Sequence, residues 1–264
     1  MIRQIESIER TYKIVQESIP HNVQIDSIEV VKEVEQYRLF WKPDKVNIVL
    51  LSESHVYTDE EDYRIELRKS ILSRIAFINS HKYPTKFVRF IYCLGYGEDE
   101  LLNRVRTYRR NTGTPQFWKI FSSCVAENEE DLGFDKILKI GNPSLQSRLY
   151  NKIGVLNKMK EKGVWLLDAS IVGLYGSGKR DHTVNERIIQ VCWKNHIRNT
   201  VAEANPKHVI IIGKGVSKII RSSLAKLGRS SSVIPLPQAR GSSEWQLENY
   251  RNYQRICVKY LQMS

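Results

Sequence analysis

The stretch Gly163-Val164-Trp165-Leu166-Leu167-Asp168-Ala169-Ser170-Ile171-Val172, with its continuation through Gly173-Leu174-Tyr175-Gly176-Ser177-Gly178 to Asp181-His182, decides the fold. It reads as a short buried strand that meets one polar residue, Asp168, and then a Gly-rich loop. A carboxylate at the carboxyl end of an apolar strand sits where open α/β sheets place their ligands. Two further strand ends flank it. Val46–Leu51 runs into Ser52-Glu53-Ser54-His55, and Ile234-Pro235 runs into Leu236-Pro237-Gln238-Ala239-Arg240-Gly241. Three strand ends in this order predict one composite site.

Working outward, strands alternate with helices. Ile2, Ile5, Ile8, Tyr12 and Val15 recur at helical steps, and Pro20 and Pro43 punctuate the region. Residues 1–44 are thus expected to form an N-terminal helical appendage packed on a core domain of residues 45–264. Residues 59–80 read as a charged amphipathic helix with Ile65, Leu67, Ile71, Leu72 and Ile75 on its apolar side. Phe87–Leu94 reads as a second strand, ending at Gly95-Tyr96-Gly97, and residues 98–110 as a basic helix. Thr114–Cys124 is a further helix with Pro115 at an early position. Lys136–Ile140 fits a short strand or a helical turn. Leu145–Lys162 is a helix stopped by Gly163. Helices at Thr183–Ala204, Val216–Leu227 and Ser243–Leu261 then alternate with strands at His208–Ile212 and Ser232–Pro235. The alternation predicts an α/β fold of three layers, αβα, around a central, mainly parallel sheet.

A chain of 264 residues with 41% hydrophobic content can bury one substantial core. Its 41 Lys and Arg against 29 Asp and Glu leave a net charge of +12. That excess favours a polyanionic partner, because each neutralised phosphate releases counterions. A generically basic surface is the plain alternative. No apolar run reaches the roughly 18 residues a membrane span needs, and Met1-Ile2-Arg3-Gln4-Ile5-Glu6 lacks a signal-peptide apolar region. A cytoplasmic monomer with no membrane partner is expected. Cys93, Cys124, Cys192 and Cys257 are widely spaced without a C-x-x-C pair, so they read as reduced buried thiols and no metal site is expected.

Taken together, these strand ends resemble motifs of the uracil-DNA glycosylase superfamily. Gly163–Ala169 is similar to that family's strand ending in a base-reading Asn, and Lys162–His182 keeps the loop and downstream His found there. Leu51-Ser52-Glu53-Ser54-His55 resembles the segment carrying the water-activating acid. Val209-Ile210-Ile211-Ile212-Gly213 resembles the next core strand, and Val233–Gly241 the closing strand with the loop that wedges into the duplex. The resemblance spans roughly residues 45–245 and implies a four-stranded sheet and a monofunctional glycosylase that flips a base from DNA and needs no cofactor. Three departures stand out. Asp168 replaces the usual Asn, Leu236 replaces the His that stabilises the departing base, and His55 replaces a Tyr that closes off the base's 5-position in one branch.

On this reading Glu53 is the catalytic carboxylate, stabilising positive charge on the sugar and orienting the attacking water. A helix-capping role is its structural alternative. His55 is a pocket wall or proton donor. Asp168 would read the base edge. An ionised carboxylate faces uracil O4 unfavourably but accepts the amino group of cytosine or guanine, and a protonated one would donate to cytosine N3. Tyr96 and Tyr57 are the candidates for base stacking. Lys214, in Gly213-Lys214-Gly215-Val216, opens a helix whose N–H groups could cradle phosphate. Gln238, Arg240 and Ser242 fall on the wedge loop, Arg240 filling the gap left by a flipped base. Arg106 and Arg109 belong to the densest basic cluster, Arg104–Arg110, interleaved with Tyr108. Phe117 and Trp118 read as core. The expected substrate is a cytosine carrying a bulky 5-substituent, such as the glucosylated hydroxymethylcytosine of some phage DNA, with antiviral defence as the rationale. The alternatives are a catalytically inactive nucleic-acid-binding module on the same fold, or a repair glycosylase for uracil and other deaminated bases.

Overall fold

A computed structural model describes residues 2–75, 82–104, 111–176, 181–236 and 244–262. Four strands form the central sheet: β1 (Ile48–Ser52), β2 (Val164–Asp168), β3 (His208–Ile212) and β4 (Ser230–Ile234). All pairings are parallel, in the order β2-β1-β3-β4. Every residue of β1, β2 and β3 is buried, as expected where helices cover both faces and the strands read as continuous apolar runs. The Ser-rich edge strand β4 is largely exposed over its first residues, and a polar edge discourages pairing with other chains. The α/β class, the parallel sheet and the three-layer arrangement expected from the alternation are observed.

The helices are α1 (Ile2–Ser18), α2 (Ile28–Phe40), α3 (Glu60–Tyr63), α4 (Lys69–Leu72), α5 (Pro115–Val125), α6 (Phe134–Ile137) and α7 (Leu145–Lys162). They continue with α8 (His182–Cys192), which passes through a π-turn at Trp193–Ile197 into α9 (Arg198–Ala204), then α10 (Lys214–Ala225) and α11 (Glu244–Leu261). Helices α5, α6, α7 and α11 pack on one another to form one layer, and α1, α8 and α10 contribute to the other. Helix α7 is capped by the Ser144 hydroxyl at its start and ends at Gly163 in the left-handed region, φ 76°. A Cβ at Gly163 would also lie 2.5 Å from the Lys45 carbonyl, so only glycine turns this helix into β2. Tyr12, Val15, Val30, Val34, Tyr37 and Trp41 join the same core cluster as the sheet. The first 44 residues thus supply interior surface, and the Trp165 indole of β2 donates to the Arg38 carbonyl at 3.0 Å.

Three local expectations are corrected. Phe87–Leu94 is not a strand but a buried chain of turns. Its amides bond locally, Cys93 N to Phe90 O and Tyr96 N to Cys93 O at 2.9 Å each. Tyrosine hydroxyls supply other partners: Leu94 N donates to the Tyr83 hydroxyl at 2.9 Å. The apolar run is there because the segment is interior. Its Tyr92 hydroxyl accepts from Leu166 N at 2.9 Å and so shields the outer edge of β2. Over 59–75 the expected helix is replaced by the single turns α3 and α4, since Leu67 N donates to Thr85 O at 2.8 Å and Phe87 N to Ile65 O at 2.9 Å, and 76–80 lie outside the described residues. Residues 98–110 begin with a 3₁₀ turn at Asp99–Leu101, and 105–110 lie outside the described residues.

Candidate functional site

The connection after β1 leads towards β2, while that after β3 leads to β4 on the other side. The β1/β3 boundary is therefore the topological switch point, where open α/β sheets bind ligands beyond the strands' carboxyl ends. Ser52 and Asp168 are partners in the β1/β2 register, and the ladder continues past them through Ala169 N to Ser52 O at 2.8 Å and Ser170 N to Glu53 O at 3.0 Å. This register brings two of the three predicted strand ends together.

A small cavity of about 20 Å³ lies on the β2 side of β1, away from the β1/β3 boundary, and is lined by Ser52, Ser54, His55, Val56, Arg89, Phe90, Ile91, Tyr96, Thr114, Phe117, Leu166 and Asp168. It has room for about one water molecule. Of the residues singled out from the sequence, His55, Asp168 and Tyr96 stand in its wall, joined by Phe117, which the sequence reading assigned to the core. Trp118 is buried beneath the Lys152 ammonium, 4.9 Å from its ring. Tyr57 is not in the wall; its amide donates to Tyr175 O at 2.7 Å.

Glu53 lies between two wall residues, Ser52 and Ser54, but its own half-buried carboxylate is outside the wall and accepts a hydrogen bond from the Tyr175 hydroxyl. The Gly-rich loop is laid directly on the segment after β1. Leu174 N donates to Ser54 Oγ at 3.0 Å, and Val56 bridges in parallel with Tyr175. Gly173 makes this possible, because a Cβ there would meet the Tyr57 amide nitrogen at 2.4 Å.

Asp168 is 2% exposed and both its oxygens are engaged. Ser52 Oγ donates to Oδ1, Arg38 Nη2 donates to Oδ2 at 2.9 Å, and His55 Nδ1 lies 3.6 Å from Oδ2. The other ring nitrogen of His55 faces Asp26 Oδ2 at 3.3 Å. Asp26 also accepts from Thr58 N at 2.7 Å and Gly173 N at 2.5 Å. Arg38 pairs with Glu35, which accepts in addition from Gln4 at 2.5 Å.

These neighbours set the charge states. Burial works against a charged His55, but Asp168 and Asp26 outweigh it and push its pKa up to about 9. Burial likewise opposes ionisation of Asp168, yet His55, Arg38 and Ser52 outweigh it and hold the carboxyl below the usual range. The His55 contacts are ion-pair distances rather than full hydrogen bonds, so the coupling there is chiefly of charge. The protonated Asp168 considered from the sequence is therefore set aside in favour of the ionised form. Glu35 is raised by its burial, which its Arg38 partner only partly offsets.

Asp26, Glu35, Arg38, Ser52, Phe90 and Tyr175 escaped the sequence reading as site residues. Three of them come from the N-terminal segment, where only a charged residue beside an apolar helical stripe hints at a buried partner. Lys214 is exposed at the first position of α10, behind Gly213 at φ 101°. Leu236 is 42% exposed. Arg106, Arg109, Gln238, Arg240 and Ser242 lie outside the described residues. Among the described residues no cluster of three or more His, Cys, Asp or Glu could hold a metal, the four cysteines are buried free thiols, and no helix is long and apolar enough to cross a membrane.

Comparison of the chain with protein-family models, with curated proteins and with solved structures returned no match. The likeness to uracil-DNA glycosylases rests on the quoted motifs alone.

Proposed function

We propose that the chain is a monofunctional DNA glycosylase that takes a flipped base into the cavity beside β1 and β2. The observation that carries this reading is the cavity's make-up: aromatic walls from Phe90, Tyr96 and Phe117, a charged His55 and an ionised Asp168 within, and Glu53 beside it. Flipped bases are held by such a combination of stacking surfaces and edge-reading polar groups.

In the proposed reaction the bond between the base nitrogen and C1′ breaks and its electron pair leaves with the base. A water oxygen bonds to C1′, and the proton it sheds ends on the released base. Glu53 faces the sugar, where positive charge develops, and His55 supplies positive charge where the departing base becomes negative. His55 thereby takes the part of the family histidine replaced here by Leu236. No cofactor enters the scheme. The net charge of +12 and the exposed Lys214 at the amino end of α10 favour phosphate contacts. The ionised Asp168 favours a cytosine edge through its amino group, and a 5-substituted cytosine is the proposed substrate. Because the cavity admits about one water, base entry requires the Phe90, Tyr96 and Phe117 wall to part.

The test is abasic-site formation by the purified protein on phage DNA containing glucosylated hydroxymethylcytosine, on unmodified DNA and on uracil-containing DNA. Abasic sites in the first alone are expected; sites in uracil DNA alone, or in none, overturn the proposed substrate. Asp168→Asn should lose the native activity and gain weak uracil release. Its folding stability is measured in parallel, since the substitution also removes one of the two carboxylates paired with Arg38. The narrow cavity favours a second reading, a nucleic-acid-binding module without catalysis. Salt-dependent DNA binding with no abasic sites on any substrate would select it.

A further inference from the structure

Tyr175 is 48% exposed, yet its hydroxyl donates to the half-buried Glu53 carboxylate. A half-exposed tyrosine ordinarily keeps its ring against the protein and its hydroxyl in water. Here the hydroxyl is committed to one carboxylate oxygen. The placement is not left to side-chain choice. The Tyr175 carbonyl accepts from Tyr57 N at 2.7 Å, the neighbouring Leu174 amide is tied to Ser54 at 3.0 Å, and Gly173 and Gly176 (φ 94°) flank the pair. The backbone that carries the phenol is thus bonded to the same segment that carries the carboxylate, so the two move as one unit.

We propose that Tyr175 is a positioning residue for Glu53: its hydroxyl occupies Oε2 and so leaves Oε1 to orient the attacking water. This rests on the glycosylase reading above. A phenol has one proton to donate, so it engages one carboxylate oxygen and leaves the other. It remains protonated well beyond neutral pH, because burial first and Glu53 second make it harder to ionise.

Two measurements test this. The first needs no catalysis: tyrosine labelled with ¹³C at Cζ is introduced, and the Tyr175 resonance is identified by its loss in Tyr175→Phe. Replacing Glu53 with Gln should move that resonance at neutral pH while the other tyrosines stay in place. An unmoved resonance overturns the proposal. The second is kinetic, on DNA containing glucosylated hydroxymethylcytosine. Tyr175→Phe keeps the ring and should lower kcat about tenfold with KM changed less than twofold, the signature of a group that acts only on the reacting arrangement. A raised KM with unchanged kcat makes Tyr175 a DNA contact and also overturns the proposal. If the resonance moves but the wild type releases no base, the Tyr175–Glu53 pair stands and the glycosylase reading falls.

Discussion

Two buried ionic clusters in this molecule behave as opposites. In one, Glu98 accepts from Arg148 Nε at 3.1 Å, Arg148 Nη2 at 2.7 Å and Lys152 Nζ at 2.6 Å. The remaining nitrogen of Arg148 is spent on the Asn142 and Pro143 carbonyls at 2.8 and 2.5 Å. In the other, the Asp26–His55–Asp168–Arg38–Glu35 network, both His55 ring nitrogens and Arg38 Nε are buried without a hydrogen bond of good geometry. A saturated cluster is a staple, here tying the turn after Gly97 to α7. An under-satisfied one beside a cavity has the perturbed ionisation on which the proposed site rests.

The largest expected effect falls on the staple. Glu98→Ala leaves two buried cations unpaired and should cost about 3–5 kcal/mol of folding stability, read by chemical denaturation. A cost below about 1 kcal/mol would erase the distinction. Next in size, Glu53→Gln should lower base release by about 10²–10³-fold, or about 3–4 kcal/mol of barrier, while the denaturation midpoint hardly moves. Near-normal release would remove Glu53 from the reaction.

The pH dependence separates the clusters further. His55 binds its proton more tightly folded than unfolded, so its contribution is complete below about 6.5 and is lost as pH rises through about 9. Stability should fall by about 2–4 kcal/mol over that interval, and His55→Gln should flatten the decline. Glu98 and Asp168 are held below their usual values, so their contributions are present above the unfolded carboxylate range and are lost as pH falls. The decline between about 6.5 and 9 thus reports on the site, while the acid limb combines both clusters with His196 and His208, whose burial holds them neutral down to about 4. The smallest effect is Lys139→Ala. This side chain is 53% exposed and 3.9 Å from Glu98, and its loss should change stability by less than about 1 kcal/mol.

The two clusters also mark where sequence reading stopped. Glu53, His55 and Asp168 were legible because each follows an apolar run that ends in a strand, whereas Tyr96 was marked only by Gly95 and Gly97 after an apolar run that is no strand. Asp26 and Arg38 carry no such signal: Arg38 meets Asp168 across 130 positions and Asp26 meets Gly173 across 147. Phe87–Leu94 misled for a related reason, since an apolar run records burial and is silent about whether a backbone partner is a strand or a tyrosine hydroxyl.

By itself the sequence located the apolar runs that become the four strands, though it offered Phe87–Leu94 as another, and it placed the helix-to-strand turn at Gly163 and the helices from α7 onward, because apolar period, caps and glycine stops act over a few neighbouring residues. Only the tertiary structure decided that Asp168 is ionised, that His55 is charged and that Tyr175 holds Glu53. Charge and hydrogen-bond partners depend on distance in space, and burial makes each missing or added partner count heavily.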